Sequence, residues 1–62
     1  MFGKVVAYYP DKGYGFIQGD DGKKYFAPCS EVKTASGVLE KGYTAEFTPP
    51  TSGNRAYNVR YL

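Results

Sequence analysis

The sequence has no histidine, no tryptophan, one cysteine and one methionine. Without histidine, no serine or cysteine nucleophile has its usual general base. A lone Cys29 with no imidazole nearby excludes the common zinc arrangements. It also leaves no partner for an intramolecular disulfide, which fits a reducing compartment. No apolar run approaches the roughly 20 residues that cross a bilayer; the best is Val5-Val6-Ala7-Tyr8-Tyr9. No apolar stretch follows Met1-Phe2-Gly3-Lys4 as a secretory leader would require. Gly13-Tyr14-Gly15 lacks the third glycine and the helix of a dinucleotide loop, and no lysine-serine phosphate loop exists. Asp20-Asp21-Gly22 is too short for a calcium loop. The expectation is a cytoplasmic protein that is not an enzyme, with no metal, no cofactor and no membrane partner.

A strong excess of charge of one sign is also missing. Lysine and arginine number 8 against 6 acidic residues, a net charge of +2, which permits a nucleic-acid partner without arguing for one. The 62 residues leave room for one domain, spanning 1–62. A chain this short buries only about 60% of its unfolded surface, so its stability should be on the order of a few kcal/mol. Aromatic residues are plentiful instead, at 18%, with 7 tyrosines and 4 phenylalanines. In so small a protein some of those rings must lie at the surface.

The hexapeptide Lys12-Gly13-Tyr14-Gly15-Phe16-Ile17 organises the rest. At the two-residue period of a strand, Lys12, Tyr14, Phe16 and Gln18 share one side, and Gly13, Gly15, Ile17 and Gly19 the other. The first side carries a cation and two rings about 7 Å apart, a spacing that suits unstacked bases. Around it, residues 3–9 read as a first strand, broken by Pro10-Asp11, and residues 12–18 as a second. Asp21-Gly22 makes a type I′ turn candidate, and residues 23–27 a third strand stopped by Pro28, which belongs at a strand end or edge. Ser30-Glu31-Val32-Lys33 has room for one helical turn. Residues 43–48 and 56–62 are the fourth and fifth strands, separated by the Pro49–Asn54 loop. Five short strands and no long helix argue a small closed or nearly closed barrel.

The hexapeptide closely resembles the first ribonucleoprotein motif of the cold-shock domain. Gly3-Lys4-Val5 matches the family's opening strand, and Tyr25-Phe26-Ala27-Pro28-Cys29-Ser30 stands where the second ribonucleoprotein motif should. Leu39-Glu40-Lys41-Gly42 with Phe47, and Gly53-Asn54-Arg55 with Ala56-Tyr57-Asn58-Val59, extend the likeness over nearly the whole chain. The resemblance implies an all-β, five-stranded antiparallel Greek-key barrel of the oligonucleotide-binding (OB) type that binds single-stranded DNA or RNA. It further implies a role as an RNA chaperone or a regulator of transcription or translation. The chain departs from the family where binding is concerned. Ala7 stands in place of a tryptophan platform, Val6 in place of a common lysine, and Pro28 and Cys29 in place of a histidine and a phenylalanine. A loop phenylalanine is missing between Lys33 and Val38. Losing two or three stacking platforms would weaken binding by roughly 2–9 kcal/mol.

The resemblance assigns stacking to Tyr14, Phe16 and Phe26, the last on the same strand face as Lys24 and Pro28, opposite Tyr25 and Ala27. Lys12, Lys4 and Arg55 are the phosphate-contact candidates; Arg55 has base stacking, or no contact, as its other roles. Tyr8 and Tyr9 are the candidates to replace the ring absent at Ala7. Strict alternation puts them on opposite faces, so only one can reach the platform unless a bulge intervenes. Tyr57, Val59 and Tyr61 read as barrel packing and Cys29 as a small half-buried residue. A monomer is expected, with weak homodimerisation as the other state. The competing reading is a protein-interaction barrel that has lost nucleic acid and turns its aromatic face to a partner or to itself.

Overall fold

The computed structural model describes residues 1–61. Five strands follow one another: β1 (Phe2–Tyr9), β2 (Tyr14–Gly19), β3 (Lys24–Pro28), β4 (Thr44–Thr48) and β5 (Tyr57–Tyr61). A single 3₁₀ turn, Cys29–Glu31, occupies the place where one helical turn is predicted. Every ladder between named strands is antiparallel, in the order β3-β2-β1-β4-β5. Three consecutive strands form a meander and the fourth returns beside the first, which is Greek-key connectivity. The sheet does not close through a continuous ladder. Its edges meet at two isolated parallel bridges, Phe26 with Arg55 and Val32 with Val59.

The predicted second strand starts too early. The Lys12 and Gly13 amides both donate to the Tyr9 carbonyl, at 2.9 and 2.8 Å, so they belong to the turn and the ladder begins at Tyr14. The type I′ expectation is also corrected. Such a turn needs positive φ at both central residues, but only Gly22 has it, at 85°. The Gly22 amide donates to the Gly19 carbonyl at 3.0 Å and the Gly19 amide to Lys23 at 2.8 Å. This is a three-residue connection with glycine at the left-handed position.

Period-two alternation explains the core. Ile17, Tyr25, Ala27, Ala45 and Phe47 point inward with Val5, Leu39 and Val59, and Phe47, Ile17, Val5 and Val59 are fully buried. Tyr25 is buried, and its hydroxyl donates to Asp21 Oδ2 at 2.6 Å while the Lys23 amide donates to Oδ1 at 3.0 Å. These bonds, the Tyr25 hydroxyl first, hold the Asp21 carboxyl below its ordinary value, and the same bond raises the Tyr25 phenol.

In β5 the expected alternation fails. Asn58 adopts φ 52°, and the β4–β5 register shifts between Glu46 and Thr48. That left-handed residue leaves two outward positions between the buried Ala56 and Val59, so Tyr57 is exposed and is not barrel packing. Val59 is core, and Tyr61 packs against it half-buried. Residue 62, the end of the predicted fifth strand, lies outside the described residues. Cys29 is exposed, because it begins the 3₁₀ turn at the barrel's edge and points away from the interior.

Candidate nucleic-acid interface

The outward face of β1, β2 and β3 is a grid set by register. One row runs Tyr9–Tyr14–Pro28, the next Ala7–Phe16–Phe26, and the third Lys4–Gln18–Lys24. None of these positions is acidic. Along β2, Gly15, Ile17 and Gly19 are buried while Tyr14 and Phe16 are half-exposed and Gln18 is exposed. The two-faced character of the hexapeptide is therefore present from Tyr14 onward.

Four rings make one contiguous patch. Tyr14 lies 5.5 Å from Phe26 and 5.9 Å from Phe16 between ring centroids, and Phe16 lies 6.0 Å from Phe26. Tyr9 extends the patch, 5.6 Å from Tyr14. Most of these pairs are edge-to-face, a geometry attractive for aromatic quadrupoles. Each ring is thus held by its neighbours while part of its surface faces solvent.

Tyr9, and not Tyr8, reaches this patch because of a bulge. The β1–β2 register shifts between Val5 and Ala7, so Val6 is an extra residue on β1. Counted strictly from buried Val5, alternation would turn Tyr9 inward and Tyr8 outward. The inserted residue inverts this: Tyr9 pairs with Tyr14, and Tyr8, opposite Gly15, packs against the core. Burial, with a smaller contribution from Cys29, raises the Tyr8 phenol above its ordinary value. Gly15 is what lets Tyr8 in, since a Cβ there would fall 2.5 Å from Tyr8 Cδ1 and against the Ala7 carbonyl oxygen. Tyr8 is therefore removed from the face to which it was a candidate.

The cations are spread around the patch. Lys12 reaches it from the turn, its Nζ 5.7 Å from the Tyr9 ring centroid. Lys4 stands on the third row, exposed, between Gln18 and Thr44. Arg55 is brought beside Phe26 by its backbone: the Phe26 amide donates to the Asn54 carbonyl at 2.6 Å and the Ala56 amide to the Phe26 carbonyl at 2.8 Å. Its guanidinium lies over Tyr57, with Cζ 5.8 Å from the ring centroid. Two features were not singled out from the sequence. The Arg55–Tyr57 pair depends on the left-handed Asn58, which no local motif announces. Lys24 shares Phe26's strand parity, but its nearness to β1 emerges only from the three-strand pairing.

Where Ala7 puts a methyl group in a row of rings, the face opens. A recess of about 350 Å³ lies there, lined by Val6, Ala7, Tyr9, Phe16 and Lys24. A separate, shallower depression of about 370 Å³ is lined by Phe2, Lys4, Gln18, Asp20 and Thr44 with Gly3 and Gly19. Among the described residues, no cluster of three His, Cys, Asp or Glu side chains is placed to hold a metal ion. No helix among them is long and apolar enough to cross a membrane.

A five-stranded antiparallel Greek-key sheet, curled into a barrel and carrying aromatic rings on the outer face of its first three strands, defines a small barrel of the OB type. No protein-family model matches the chain. It is 40% identical over 60 residues to cold shock protein 1 of Lactiplantibacillus plantarum, a match covering 92% of this chain and 91% of that protein. The chain belongs to the cold-shock protein family.

Proposed function

We propose that this protein binds single-stranded DNA or RNA by stacking unpaired bases on Tyr14, Phe16, Phe26 and Tyr9. Lys12, Lys4 and Arg55 contact phosphates. The observation that carries the reading is the contiguous four-ring patch bordered by cations, on positions free of acidic side chains. Membership of the cold-shock family supports it. Each base stacked on an aromatic side chain contributes about 1–3 kcal/mol and needs only a π-face, so sequence preference is weak, with a pyrimidine leaning at most. The cellular role that follows is RNA chaperoning or regulation of transcription or translation by one cytoplasmic domain, monomeric when free, acting without catalysis.

The second reading, an aromatic face that docks a protein partner or a second copy, has the missing rings at Ala7, Pro28 and Cys29 and the further exposed Tyr43 and Tyr57 in its favour. One titration separates the two. Short oligo-dT and oligo-rU are added to isotope-labelled protein and the amide shifts followed. Saturable, salt-weakened movement centred on Tyr14, Phe16, Phe26 and Lys12 is expected. Silence at millimolar oligonucleotide, with self-association in sedimentation, would instead establish the interaction barrel.

A further inference from the structure

We propose that the recess over Ala7 is a base-insertion site, which takes a base with a keto group at C4 or C6 (thymine, uracil or guanine) edge-in, with Lys24 as its specificity-determining residue. This deepens the nucleic-acid reading and rests on it. The recess interrupts a row that is otherwise aromatic: Ala7 is paired with Phe16, and Phe16 with Phe26. It is lined by Phe16, Tyr9, Ala7 and Val6, with Lys24 as its one charged residue. The recess, about 350 Å³ and open to solvent, shares Phe16 and Tyr9 with the ring patch, so a base can enter it edge-first from the face. A base lying on Tyr14 thus has its neighbour in the same strand poised beside the opening.

The chemistry of the lining selects the occupant. Apolar and aromatic walls desolvate a base, whose polar edge must then find a partner. The Lys24 ammonium has three donors and no acceptor. Guanine offers O6 and N7 as adjacent acceptors, and thymine or uracil offers O4. Adenine sets its N6 amino donor beside N7, so an ammonium gains one acceptor and faces an unpaired donor. The bulged Val6 matters here as well, because it sets the spacing between Lys4 and Ala7 on β1 and so frames the opening.

Filling the recess provides the test. In Ala7→Trp, the face gains a ring but loses the opening. If bases merely stack on the face, the variant binds oligo-dT more tightly; if a base inserts, it binds at least about fivefold more weakly. Tighter or unchanged binding overturns the proposal. In wild-type protein, nuclear Overhauser contacts between the Ala7 methyl and thymine protons of bound oligo-dT are expected, a readout independent of whether the variant folds. Their absence in a saturated complex likewise overturns insertion. Lys24→Met should reduce the ratio of oligo-dT to oligo-dA affinity by about tenfold, whereas an equal loss for both would reduce Lys24 to a general electrostatic contact and overturn its specificity role. Wild-type protein that binds no oligonucleotide at all removes the underlying reading; wild-type binding with a tighter Ala7→Trp removes only this one.

Discussion

Tyr14 is the residue on which the stacking reading turns, because its ring touches Tyr9, Phe16 and Phe26 alike. Tyr14→Ala should cost about 1–3 kcal/mol of oligonucleotide binding and leave the amide spectrum of the core intact, as a fluorescence titration beside that spectrum would reveal. Unfolding of the variant would mean that the ring is core. Phe47 is the contrasting case, fully buried against Tyr25. Truncating it to Ala should cost about 3–5 kcal/mol, as much as the whole stability expected of so short a chain, and denaturant titration should find the variant largely unfolded. Asp21 carries the acid dependence. Its carboxyl is held low by the Tyr25 hydroxyl and then the Lys23 amide, so its contribution is present above the unfolded value of about 3.9 and is lost as pH falls through the lower folded value. The stability gap between wild type and Asp21→Asn in urea unfolding should therefore be widest near neutrality and shrink below about pH 4.

At the scale of elements, the bulge at Val6 accounts for Tyr9, and not Tyr8, facing outward beside Tyr14. Deleting Val6 makes Ala7 follow Val5 directly, which removes the bulge but keeps Tyr8 opposite Gly15 and Tyr9 opposite Tyr14, so oligonucleotide binding should survive the deletion in the same titration. Gly15→Ala, which keeps the register but adds a Cβ against Tyr8, should destabilise by about 1–3 kcal/mol in the same urea assay. These two elements also mark how far the sequence could be read. The alternation of Tyr14 and Phe16 against Gly15 and Ile17, and of Phe26 against Tyr25 and Ala27, was legible because strand parity is a local property. Pro28 at a strand end was legible because proline cannot donate to a ladder. The choice between Tyr8 and Tyr9 was not, since a bulge at a valine leaves no compositional trace and depends on what β2 offers across the pair. Lys12 slipped from strand to turn for a similar reason: its amide partner, the Tyr9 carbonyl, is fixed by chain reversal and not by side-chain pattern. Asn58 hid the outward turn of Tyr57, because one left-handed residue breaks a parity that the letters alone suggest.

For the whole molecule, the proposed binding is tested by its salt dependence, which follows the number of phosphates contacted and not the net charge of +2. Three or four phosphate contacts at about 0.7 per contact give a log-log salt slope of roughly −2 to −3, measurable by titration at several salt concentrations. A slope near zero would mean that Lys12, Lys4 and Arg55 stand idle. The fold itself places one further demand on the ligand. Phe26 serves the ring patch with its side chain and the barrel's seam with its backbone, through the Asn54 carbonyl and the Ala56 amide. That seam is two isolated bridges wide, the thinnest joint in the sheet. A nucleotide strand gripping both Phe26 and Arg55 would lie across it like a clasp, so occupancy and seam breathing are thermodynamically linked. Hydrogen exchange at the Ala56 amide should slow when oligonucleotide binds, and the apparent melting temperature should climb with ligand concentration. A barrel left ajar by its own chain would thus be latched shut by its cargo.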